Sequence, residues 1–191
     1  MKNAIKVTLP AMLLSVMLVL GYIERLLAIA GPVPGIKLGL ANGVLLISLY
    51  WLGIPASVLL MLGKVGLTAL MFGSQPVTIA MSLSGGVVSM LGMIVMVYLI
   101  RGISPVGAGI LGGVLHNIGQ VVFYMLIAHI NLLYYLAILV AVGAVMGGIT
   151  GTVAGSLMRF LPYERRVALG IVRKKTSAEE ALDAQRNSGK E

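Results

Sequence analysis

Few side chains in this sequence could hold a ligand or a proton, and nearly all of them sit inside apolar runs. Lys64 lies near the middle of the run from residue 55 to residue 72. A charge inside a bilayer is costly, so it marks a site unless the side chain snorkels to an interface. At mid-depth a lone ammonium would lose its proton, or find a carbonyl, a water or a ligand anion. The only acid outside the C-terminal region, Glu24, falls near the end of an earlier run. Two readings therefore stand for Lys64: snorkelling to an interface, or contact with a polar or anionic ligand. A second group is His116, Asn117 and Gln120. His116 and Gln120 are four apart and share a helix face, with Asn117 beside them. Such residues act as hydrogen-bonding glue between membrane helices, or they touch a ligand or handle a proton. His116 has no carboxylate at sequence-adjacent spacing, which leaves general-base catalysis with little support. A third group is Pro32, Pro34, Gly35, Lys37 and Asn42, with Glu24 and Arg25 just before it. Proline stiffens this segment and glycine bends it. As a plain turn it would carry a Glu24–Arg25 or Glu24–Lys37 pair; as a working element it would be the rim or gate of a pocket. No residue is assigned a catalytic role.

The elements that must position these residues follow from composition. Of 191 residues, 59% are hydrophobic and 10% charged, with a mean hydropathy of +1.02. A soluble domain carries about 25% charged residues, so this chain cannot cover a water-soluble globule. Continuous apolar runs such as Val87–Ile100 exclude a transmembrane β-barrel, whose strands alternate in polarity. The spacing of Gly, Pro and charge predicts six membrane helices, over residues 6–29, 36–52, 55–72, 76–100, 105–129 and 132–161. The first is read as a retained helix rather than a removed leader, because no small-residue cleavage site follows it. Residues 1–162 form the transmembrane domain and residues 163–191 a basic, polar tail.

Charge sets the expected orientation. Lys2 and Lys6, then Arg101, then Arg159, Arg165, Arg166 and the basic residues 173–175 fall on one side if there are six crossings. That basic excess puts both termini in the cytoplasm of a plasma-membrane protein. The net charge of +8 is thus a topology signal and not a nucleic-acid footprint. There is no cysteine and there are two histidines without acidic neighbours, so no metal centre and no bound cofactor is expected. Gly143, Gly147, Gly151 and Gly155 form a strict four-residue ridge, suited either to packing inside the bundle or to docking a second membrane protein. Ala11 and Ser15 offer a weaker small-residue ridge on the first helix.

The stretch from Pro34 to Asn42, with Gly63-Lys64, Leu70–Gly73, Ser82–Gly86 and Leu115–Gln120, resembles the family called heptaprenyl diphosphate synthase component I, also known as the Gx transporter family. That family is similar to the substrate-binding S components of energy-coupling-factor (ECF) transporters. The resemblance spans residues 8–160 and implies a six-helix bundle that binds a small molecule under the loop after its first helix. It implies a membrane coupling protein driven by cytoplasmic ATPases as partner, docked through a small-residue motif that Ala11 and Ser15 approximate. The family name links its members to polyprenyl diphosphate synthesis with a soluble synthase, and their context to flavin- and quinone-linked electron transfer. Prenyl elongation needs Mg²⁺ held by clustered aspartates, and this chain has one aspartate, Asp183. It cannot be such a synthase alone. The expected function is ligand binding for transport of a small anionic or amphipathic metabolite, with Lys37, Asn42, Lys64, His116, Asn117 and Gln120 lining the site. The alternative is a non-catalytic membrane subunit associated with heptaprenyl diphosphate or menaquinone biosynthesis, or with flavin- or quinone-linked electron transfer.

Overall fold

The computed structural model describes residues 2–28, 39–100 and 103–160. Pro32, Pro34, Gly35 and Lys37, the expected gate and one expected ligand residue, lie outside the described residues, as do Arg101 and the tail. Among the described residues the chain is all helical: α1 (Lys2–Ala28), α2 (Ala41–Trp51), α3 (Ile54–Phe72), α4 (Pro76–Ile94), α5 (Pro105–Ala128) and α6 (Leu133–Phe160). Pro55, Pro76 and Pro105 each sit in a first helical turn, where a missing amide costs nothing. Five helices are long and apolar enough to cross a bilayer, and α2 is shorter. The surface is apolar: Leu59, Leu70, Leu126, Tyr134 and Phe160 are all exposed. In lipid that surface is the favourable one. The side carrying the α3–α4 and α5–α6 turns is called the upper side below.

Two expected boundaries are corrected. Residues 36–52 do not form one helix, because Gly39 has a φ of +83°, which breaks a right-handed helix there. The helix starts at Ala41, and its 11 residues rise only about 16 Å, half a bilayer. The fourth helix does not run as α-helix to residue 100. It opens into a π turn at Val95–Leu99, which brings the Tyr98 hydroxyl to donate to the Leu49 carbonyl at 3.1 Å.

α5 anchors the bundle, with α4 on one side and α6 on the other. Along α6, Gly143, Gly147 and Gly151 lie against the backbone of α5 at Gly113, Gly109 and Pro105–Val106. The glycine ridge thus packs inside the bundle and is not offered to a second protein. Between α4 and α5, Ser84 donates to the Gly119 carbonyl at 3.0 Å and Ser89 to that of Gly112 at 2.8 Å. Such close approach maximises dispersion contacts where the hydrophobic effect gives helices no drive to associate. The α1 ridge differs: Ala11 and Ser15 are exposed, and the Ser15 hydroxyl bonds back to the Ala11 carbonyl at 2.9 Å. α3 is bounded at both ends by glycines of positive φ, Gly53 (+81°) and Gly73 (+55°).

A methyl at Gly147 would collide with the Gly109 carbonyl and lie 2.9 Å from Ile110 Cα, whereas at Gly148 the nearest atom is 3.6 Å away. Gly147→Ala is expected to destabilise by about 1–3 kcal/mol through overpacking. Gly148→Ala is expected to be neutral or better. Thermal unfolding in a mild detergent reads both.

Candidate functional site

α2 begins inside the bundle, and that fact organises the polar residues. It doubles back on α3 through Leu52 and Gly53, and the hydroxyls of Ser48 and Ser57 meet across the pair at 2.7 Å. In that register Ala41 stands level with Lys64. The first amides of a helix have no partner within it, and lipid supplies none. Glu24 of α1, fully buried, provides one: a carboxyl oxygen accepts from the Leu40 amide. A carboxyl group there also meets the positive end of the α2 dipole. Arg25, the neighbouring residue, points elsewhere, with its guanidinium 5.3 Å from the centre of the Phe72 ring, which stacks on Tyr22. Successive helix residues face different ways, so Glu24 is committed to α2 and the expected Glu24–Arg25 pair does not form.

From this cap a ring of polar residues runs through five helices. Asn42, in the first turn of α2, is buried beside Gly39. A methyl on Gly39 would come within 3.3 Å of the His116 ring of α5. His116 Nε2 and Gln120 Nε2 lie 2.8 Å apart, sharing one hydrogen bond. Both press on Gly85 of α4, where a methyl would sit 3.0 Å from His116 Nδ1. One turn away on α4, Ser82 lines a cleft shared with Lys64 and Thr68 of α3. The Lys64 stem in turn passes Gly21 of α1, where a methyl would be 3.7 Å from its Cε, one turn below Glu24. Asn42, Lys64, His116 and Gln120 are therefore brought into one layer. Asn117 is not part of it. It donates to the Leu139 carbonyl of α6 at 2.7 Å and joins two helices.

Several groups in this layer are buried without a hydrogen-bond partner: Glu24 Oε2, Asn42 Nδ2 and Thr68 Oγ1. Lys64 is 7% exposed and makes no hydrogen bond or ion pair with the described residues. Buried polar groups without partners cost roughly 1–3 kcal/mol each. Sequence reading passed over Thr68, Gly39 and Glu24 as site residues. For Thr68 a signal was present, since it follows Lys64 by four and shares its face. Among the described residues no cluster of His, Asp or Glu could hold a metal.

A bundle of apolar helices closed around buried polar residues defines a polytopic membrane protein. Residues 13–157 match the family model described as heptaprenyl diphosphate synthase component I. The match covers more than half of the chain, and the chain belongs to that family. No curated protein and no solved structure matches it.

Glu24→Gln keeps an acceptor for the Leu40 amide, whereas Glu24→Leu removes it. Glu24→Leu is expected to lose about 1–3 kcal/mol, the cost of an orphaned buried amide, and Glu24→Gln less. Amide exchange at residues 40–43 checks this, rising in the leucine variant.

Proposed function

We propose that this chain is the ligand-binding membrane component of a transporter for a small anionic or amphipathic metabolite. The observation that carries the reading is the unpartnered set in one layer: Lys64, Asn42 Nδ2 and Thr68 Oγ1. All three can donate, and a ligand's oxygens would satisfy them together. A protein with no ligand to bind gains nothing from leaving donors unpaired in lipid. Similarity of the family to ECF S components supports the same reading and implies a membrane coupling protein with ATPases as partner. The sequence has no phosphate-binding loop of the P-loop kind, so ATP energy would come from that partner. Both termini face the cytoplasm of the plasma membrane in this reading, following the basic residues.

A second reading is favoured by the family's description, which names one component of a synthase. Here the chain would be a non-catalytic membrane subunit beside a soluble prenyl synthase. Its lone aspartate, Asp183, fits that role, because the metal-binding carboxylates would have to come from the partner.

Lys64→Met and His116→Ala are each expected to reduce uptake in whole cells about tenfold, the scale of one lost charge-assisted hydrogen bond. Wild-type uptake from both variants sinks the transport reading. Co-purification with a prenyl synthase, with loss of menaquinone on deletion, favours the second. Because the sequence has no cysteine, single cysteines placed near each terminus report topology directly, and labelling from opposite faces would overturn the proposed orientation.

A further inference from the structure

Among the described residues, Glu24 and Lys64 are the only buried carboxylate and the only buried ammonium. Both have bonding capacity to spare. Glu24 gives one oxygen to the Leu40 amide, and its Oε2 has no hydrogen-bond partner. Lys64 makes no hydrogen bond or ion pair with the described residues. Near the middle of a membrane helix, a full charge is held by an opposite charge better than by neutral dipoles.

The surroundings of Lys64 leave one source for that opposite charge. On its α4 side lie the hydroxyls of Thr68, Ser74, Thr78 and Ser82, around room for about one water, about 10 Å³. No carboxylate lines that side. Hydroxyls and a water can solvate an ammonium, but they do not balance its charge. On the α1 side the Lys64 stem passes Gly21, where a methyl would lie 3.7 Å from Cε. Glu24 follows Gly21 by three residues and shares its face. Side chains lean toward the N-terminus of their helix, which brings the Glu24 carboxyl back toward the level of Gly21. Cβ positions three residues apart are about 5–6 Å from one another, so Glu24 Cβ lies within about 10 Å of Lys64 Cε. The outer bonds of the two side chains span most of that distance, and rotation of the lysine stem covers the rest.

We infer that Glu24 is the counter-charge of Lys64. The two form an ion pair across the α1–α3 contact, which stands open in this structure and closes by side-chain rotation. Oε1 keeps the Leu40 amide while Oε2 takes the ammonium, so one carboxyl group holds both the start of α2 and the cation of the polar layer. An anionic ligand then has to take Lys64 from Glu24, which makes Glu24 a positioning residue that sets the strength of anion binding. That consequence rests on the ligand-binding reading; the pair itself does not, and it is tested without a ligand.

The test is a double-mutant cycle read by thermal unfolding of the purified full chain in a neutral detergent. Removing one member of a buried pair leaves an uncompensated charge, whereas removing both leaves none. Glu24→Gln, which keeps an acceptor for the Leu40 amide, and Lys64→Met are each expected to lower the midpoint. The double variant is expected to lose less than the two losses together. Lys64→Arg, which keeps the charge, is expected to unfold near the wild type. Glu24→Gln combined with Arg159→Met, which removes an exposed charge at the far end of α6, is expected to be additive. If either single variant fails to fold, recovery of a folded chain in the double variant supports the pair, and continued failure overturns it. The inference is also overturned if the Glu24 and Lys64 losses add, or if the Arg159 control departs from additivity as far. It is equally overturned if neither single variant lowers the midpoint, or if Lys64→Arg loses as much as Lys64→Met. Uptake lost in His116→Ala, alongside additive losses in the cycle, would remove the pair and leave the transport reading intact. Coupled losses in a chain that supports no uptake would do the reverse.

Discussion

The structure depends on one hydrogen bond made where no solvent can make it. α2 starts within the bundle because Gly39 turns the chain there, and its leading amide would be orphaned in hydrocarbon. Glu24 meets it. This contact ties the upper end of α1 to the start of α2 and fixes the level at which Asn42 enters. It also explains a buried acid that a membrane helix would otherwise not tolerate. The second carboxyl oxygen and the nearby donors are left over from this arrangement, and the polar layer grows around them.

The two halves of the bundle are built on different principles. α4, α5 and α6 meet through glycine and serine, with backbone close to backbone. α1, α2 and α3 instead surround a core of larger side chains, among them Met17, Leu45, Leu46, Leu49 and Leu60. The polar ring crosses both halves. His116 and Gln120 belong to the first, wedged against Gly85, whereas Lys64 and Thr68 belong to the other. The polar layer therefore spans a half joined backbone to backbone and a half joined through larger side chains.

Much of this was legible before any coordinates. Long apolar runs punctuated by Pro and Gly give helices whatever the tertiary context, because lipid leaves the backbone no alternative. The α6 glycines announced a close helix contact, although their spacing could not say with which helix. Lys64, His116 and Gln120 stood out as polar groups at apolar depth, and they do share a layer. The start of α2 was not legible, since Leu38, Gly39, Leu40 and Ala41 read on as one apolar stretch, and only the backbone shows the break. Nor was the parting of Asn117 from His116. Adjacent residues on a helix diverge by about 100°, so one reaches α6 and the other the polar layer. The role of Glu24 depended on a contact sixteen residues away, with no charged partner to suggest it.

The glycines at the two ends of α3 give that helix a mechanical character. Gly53 and Gly73 both hold left-handed backbone, and neither has any atom within 4 Å of the position a side chain would take. Few other residues adopt such torsions, and free space around them lets the torsions change without collision. A change at those two torsions would move α3 as one stiff rod, and Lys64 and Thr68, one turn apart on it, would keep their spacing through such a movement.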